Sequence, residues 1–154
     1  MLTPEERREI DEGLLHYRDR RAGAIEALKV VQRHRGWVSD DGVKAVANAL
    51  GISPDEVDGV ATFYNLIFRQ PVGRHVILLC DSVSCWVMGH DGIRETLEAK
   101  LGVGMGETTN DGRFTLLPVV CLGACDRAPA MMVDDELFGP LAPEAIDAVL
   151  ARYR

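Results

Sequence analysis

The spacing of apolar positions gives the chain two textures. Through residues 1–70 it is helical: Ile10, Leu14 and Tyr17 keep one face, Ile25, Leu28 and Val31 another. Val43, Val46, Ala47 and Leu50 recur at i, i+3, i+4 and i+7, as do Val57, Val60, Ala61 and Tyr64. Two helix starts are marked, because Thr3-Pro4-Glu5-Glu6 and Ser53-Pro54-Asp55-Glu56 each offer a capping hydroxyl, a proline at the first helical position and a glutamate three residues after the cap. Gly36, the run from Ser39 to Gly42, and Gly51 read as breaks. The pattern predicts a small helical bundle over residues 1–70.

After the breaker Gln70-Pro71-Val72-Gly73, the run His75 to Cys80 is short and almost wholly apolar, as in a buried strand. Asp91 to Leu101 puts Ile93, Leu97 and Leu101 on one helical face, Gly102 to Asn110 is loop, and Phe114 to Val120 reads as a second strand. Met131 to Val133 and a piece around Leu137 supply two more strands, and Pro143 opens a last helix with Ile146, Val149, Leu150 and Tyr153 in register. A parallel crossover followed by hairpin-like strands and a closing helix is the plan of a thioredoxin-like sandwich. The expected class is α+β, with a helical domain over 1–70 and a thioredoxin-like α/β domain over 71–154.

Charge and composition narrow the function. A net charge of −7 and a pI near 5.0 give no field attractive to phosphate backbones, which argues against nucleic acid. The longest apolar runs, Val76–Cys80 and Ala128–Val133, fall far short of the ~20 residues that span a bilayer, and the first ten residues lack an apolar signal region. A soluble, cytosolic chain without direct membrane insertion is expected, and in that compartment four cysteines point to metal or redox chemistry before disulfides.

All four cysteines lie in the second half. Four residues separate Cys80 from Cys85, three separate Cys121 from Cys125, and each pair follows a predicted strand. Strands ending on one side of a sheet would bring the two loops together, and four thiolates on two irons is the ligand set of a [2Fe–2S] cluster. Asp81 to Ser84 and Leu122 to Ala124 are mostly small, Gly123 permits close backbone approach, and a helix starting near Cys85 would aim its positive end at the site. Asp81 and Asp126 act in the opposite direction on the potential. On spacing alone, structural zinc and disulfides remain open alternatives, while a thioredoxin-type redox pair would need only two intervening residues and is not present.

Other candidates carry less. Gly102-Val103-Gly104-Met105-Gly106 follows a helix instead of a strand and reads as plain loop. His16, His34, His75 and His90 are scattered and read as surface or boundary residues. Trp86, Met131 and Met132 suit core packing, with shielding of the cysteines from water as the second reading. Arg7, Arg8, Arg18, Arg20 and Arg21 read as solvated helix faces, with partner docking second.

Six segments together resemble a known family: Ile25 to Gln32 with Arg35-Gly36-Trp37-Val38, Gly59-Val60-Ala61-Thr62-Phe63-Tyr64, Arg69 to Ile77, Cys80-Asp81-Ser82-Val83-Ser84-Cys85, Asp111 to Pro118, and Cys121-Leu122-Gly123-Ala124-Cys125-Asp126. The chain is similar, over nearly its whole length, to the E-type subunit of bacterial NADH:quinone oxidoreductase, the respiratory complex I. The resemblance implies one [2Fe–2S] cluster, not zinc, on Cys80, Cys85, Cys121 and Cys125. It also implies a tight complex with the F-type flavoprotein subunit that carries FMN and the NADH site, within the peripheral arm on the cytoplasmic side of the inner membrane. Independently, a one-electron centre cannot accept a hydride, so a flavin elsewhere must split the electron pair. The chain is therefore expected to be an electron-transfer subunit with no substrate site of its own and residues 1–70 as its docking domain. The equivalent subunit of an NAD-dependent formate dehydrogenase or bidirectional hydrogenase is the alternative, and a free-standing thioredoxin-like ferredoxin the alternative of another class.

Overall fold

Helices form where Thr3 and Ser53 stand. In α1 (Pro4–Leu14) and α4 (Pro54–Phe63) both capping boxes close: the cap hydroxyl accepts from the glutamate backbone N–H, and the Glu6 or Glu56 carboxylate accepts from the cap N–H. Between them run α2 (Ala24–Arg35) and α3 (Asp40–Leu50). The run Ser39 to Gly42 is not a break but a helix start, for Ser39 Oγ accepts from Gly42 N–H at 3.2 Å and the two aspartates favour the positive end of the helix. Gly36 and Gly51 end α2 and α3 in left-handed conformations. Tyr17 falls beyond α1 and is exposed, so the periodicity there outruns the helix.

The computed structural model describes all of Met1–Arg154 as two units, Met1–Pro71 and Val72–Arg154. The first buries an aliphatic core that includes Ile10, Leu28, Val31, Val46, Val57 and Ile67. Inside it lies one charged side chain. Glu6 is 1% exposed and meets Arg35 through two 2.6 Å hydrogen bonds, which hold its carboxyl at about 2, well below the usual 4.5. Arg69 links this unit's loops by pairing with Asp40 at 2.7 Å and Asp58 at 2.9 Å and donating to the Val38 carbonyl.

The second unit carries a four-stranded sheet in the order β2-β1-β3-β4, with β1 at His75–Cys80, β2 at Phe114–Val119, β3 at Met131–Val133 and β4 at Glu136–Phe138. β1 and β2 are parallel, and both other pairings are antiparallel. The helices α5 (Val83–Val87) and α6 (His90–Leu101) make the crossover, and α7 (Ile146–Leu150) closes the chain. Alternate strand residues Ile77, Leu79, Phe114, Leu116, Met131 and Val133 meet Ile93 and Leu97 of α6 and Ile146 and Leu150 of α7 in one core. The Gly102 to Gly106 segment lies along β2, with Gly106 N–H donating to the Leu116 carbonyl and Gly104 N–H to Glu107. No helix is long and apolar enough to cross a membrane.

Candidate metal centre

Strand register places the cysteines. Cys80 ends β1 opposite Val119, the last residue of β2, so Cys121 follows two residues past the end of the neighbouring parallel strand. The antiparallel partner β3 begins at that same end, where Cys80 N–H donates to the Ala130 carbonyl at 3.1 Å and Asp81 N–H to the Val119 carbonyl at 2.8 Å. Cys125 opens a short 3-10 turn, Cys125–Arg127, on the way into β3. Two strand exits and one strand start thus deliver Cys80, Cys121 and Cys125 to one end of the sheet, and α5 brings Cys85.

The helix near Cys85 differs from expectation. It starts at Val83 with Ser82 as its cap residue and holds Cys85 in its middle, while the long helix α6 begins only at His90. Gly89, at φ +110°, makes the corner between them that an L-residue with a β-carbon disfavours.

The four thiols are free. Cys80 and Cys85 are buried, and Cys80 and Cys125 both stand near enough to act on the Cys85 thiol. Burial first, and then the neighbouring thiols, push the Cys85 thiol above its usual range, against a backbone hydrogen bond from Ala130 that lowers it. Cys121 is exposed and stands on the other loop, its sulfur accepting from Gly123 N–H at 3.3 Å. Gly123 sits at φ +73° with open space where a side chain would be. No three His, Cys, Asp or Glu side chains close around a single point as ligands of one ion would. A binuclear cluster asks for something else, two thiolates on each of two irons, so its donors are divided between two centres. Four sulfur donors on two segments, Cys80–Cys85 and Cys121–Cys125, with backbone N–H groups turned to Cys121 and Cys85, fit that group.

The surroundings hold what the sequence reading missed. Val83, Trp86, Val87, Met88 and Val120 are the exposed large apolar residues of this unit, and all lie on α5, just after it, or beside Cys121. Trp86 is 60% exposed, so core packing does not explain it, whereas Met131 is fully buried in the core. His90, read as surface or boundary, is buried, and His75 pairs with Asp134 at 2.7 Å across 59 residues that sequence proximity could not reveal. Arg7 and Arg20 both meet Asp11, and Arg21 meets Glu56, as solvated surface pairs.

A thioredoxin-like sheet with four free thiols at one end defines a class of protein built to hold an iron–sulfur group. The thioredoxin-like [2Fe-2S] ferredoxin family matches residues 10–154. The E-type subunit of NADH-quinone oxidoreductase in Escherichia coli strain K12 is 55% identical over 99% of this chain and 92% of its own length, and its Pseudomonas aeruginosa counterpart is 51% identical over the same shares. The chain belongs to the thioredoxin-like [2Fe-2S] ferredoxin family and, within it, to the E-type subunits of NADH-quinone oxidoreductase. An NAD+-reducing [NiFe]-hydrogenase, solved in its air-oxidized state, shares the fold with a TM-score of 0.72 and 25% identity. That likeness covers 84% of this chain but only 22% of the hydrogenase chain.

Proposed function

We propose that this chain is the electron-transfer subunit of a bacterial NADH:quinone oxidoreductase, with one [2Fe–2S] cluster held by Cys80, Cys85, Cys121 and Cys125. The observation that carries this reading is the delivery of four free cysteines to one end of a thioredoxin-like sheet, in a chain about half identical to its E-type relatives along its whole length. A bound [2Fe–2S] cluster supplies a one-electron store. The chain's own residues do the rest: thiolates neutralise iron, N–H groups of Gly123 and Ala130 offset charge on sulfur, and Cys80 and Cys85 keep their side of the site from water.

The partner we propose is the subunit carrying FMN and the NADH site. A hydride brings two electrons, so a flavin must accept it and pass single electrons on, and this chain has no catalytic step of its own. The exposed apolar residues Val83, Trp86, Val87, Met88 and Val120 support a protein partner over the cysteine end, because a lone subunit rarely leaves such residues grouped in water. Residues 1–70 serve as a docking domain, and the complex lies peripherally on the cytoplasmic side of the membrane. The hydrogenase likeness supports the same module in another NAD-linked machine, but its 25% identity is less than half the 55% of the Escherichia coli E-type subunit.

Mixing the purified chain with the FMN-bearing subunit tests this. Alone, the chain should neither oxidise NADH nor be bleached by it, and adding the flavoprotein should give a stable complex in which NADH reduces it. NADH oxidation by the isolated chain, or failure of the two proteins to associate, would contradict the assignment.

A further inference from the structure

Of the four histidines, only His90 is buried, at 5% exposure. It is the first residue of α6, and its Nδ1 lies 3.0 Å from the Cys80 carbonyl oxygen. A carbonyl oxygen can only accept, so Nδ1 carries the proton and donates. Nε2 turns the other way, 3.8 Å from Asp81 Oδ1, into a cleft also lined by Trp86, Arg94 and Pro118. Backbone bonds from Met88 to Ser84 and from Gly89 to Trp86 carry α5 up to the His90 corner without a gap. The imidazole therefore closes the segment from Cys80 to His90 on itself, and that segment contains Cys85.

We infer that His90 is a positioning residue for the cluster, tying the Cys80 peptide to the helix corner that follows Cys85 and placing on that peptide a donor whose positive end raises the reduction potential. This rests on the reading of the four cysteines as ligands. The physical case is that burying an imidazole costs free energy unless its polar atoms are used, and here the buried donor is spent on the peptide of a ligand. A donor fixed there holds the spacing of Cys80 and Cys85, and the positive end of its dipole favours the reduced, more negative cluster.

The test compares His90→Asn, His90→Gln and His90→Leu in the full chain, reading iron and sulfide content, midpoint potential and the electron paramagnetic resonance of the reduced protein, with far-ultraviolet circular dichroism alongside. The asparagine amide places an N–H close to where Nδ1–H stands, glutamine carries its N–H one bond farther, and leucine fills space without a donor. His90→Asn should keep the wild-type potential and spectrum, while His90→Gln and His90→Leu retain helix content and cluster but titrate at a lower potential with broadened resonances. A wild-type potential and spectrum in His90→Leu would overturn the inference, and so would equal shifts in His90→Asn and His90→Leu, which would make the residue a matter of volume. Should His90→Leu fail to fold, the contrast between His90→Asn and His90→Gln decides in the same way. A wild-type chain free of iron and sulfide would overturn the ligand reading itself, and this inference with it, whereas a loaded wild type with indifferent variants overturns the inference alone.

Discussion

The two units are stabilised by different means. In Met1–Pro71, three of the four α-helices begin with a side-chain cap, two of them as full capping boxes. In Val72–Arg154, none of the three α-helices has such a cap, and two are only five residues long. Order there comes from strand pairing between residues far apart in sequence, such as His75 with Phe114. The locally specified unit has no grouped cysteines, and the non-locally specified unit has all four. The difference has a physical basis: loops at the ends of paired strands are fixed in space by the sheet while their own residues remain free to be glycine, serine or cysteine.

The largest test of this contrast acts on the cysteine end. Replacing Cys80, Cys85, Cys121 or Cys125 singly by alanine removes a thiolate that neutralises iron, and cluster content should collapse at each position while the capped helices of the first unit stay folded. Ser82→Ala or Ser84→Ala should keep the cluster and at most shift its potential. Iron and sulfide analysis with circular dichroism checks the series, and an undiminished cluster in any one alanine variant would break the assigned ligand set.

A second test acts on the helical unit. Glu6→Ala leaves Arg35 without its buried partner and should destabilise that unit by about 3 kcal/mol, the low end for such pairs because Arg35 keeps some water. The pair also predicts a pH dependence. The Glu6 carboxyl titrates at about 2 when folded and near 4.5 otherwise, chiefly through its hydrogen bonds to Arg35. Its stabilisation, on the order of 3 kcal/mol, is present above pH ~4.5 and drains away as pH falls toward 2. Denaturant titrations between pH 6 and 3 should show wild type losing its advantage over Glu6→Gln, and parallel curves would contradict the account.

The smallest effect is a return to the second unit. A β-carbon on Gly139 would overlap the Arg127 carbonyl of the Cys125–Arg127 turn, so one side must move. Gly139→Ala should cost about 1–3 kcal/mol of overpacking and lower cluster occupancy through Cys125, as thermal melts and iron analysis would show.

How legible each part was follows from the same contrast. Thr3 and Ser53 announced their helices because the cap bonds are local, and His75–Cys80 and Met131–Val133 read as strands because both lie in apolar runs that the sheet buries. The α+β class and thioredoxin-like plan followed from element order. Ser39 to Gly42 was misread as a break because the residues that make a turn also make a helix start. A helix near Cys85 is expected, but its start at Val83 and its length are not legible, since five residues carry too little periodicity, and the burial of His90 depends on a carbonyl ten residues away across a chain reversal. The exposure of Trp86 was equally hidden, because an apolar residue near a site and one in a core look the same in sequence.

The central claim is that four cysteines at one end of this sheet hold a binuclear iron–sulfur cluster, and metal analysis of the anaerobically purified chain addresses it most directly. The account predicts a brown protein with two irons and two acid-labile sulfides per chain that becomes paramagnetic on one-electron reduction. A colourless protein with one zinc per chain would contradict it.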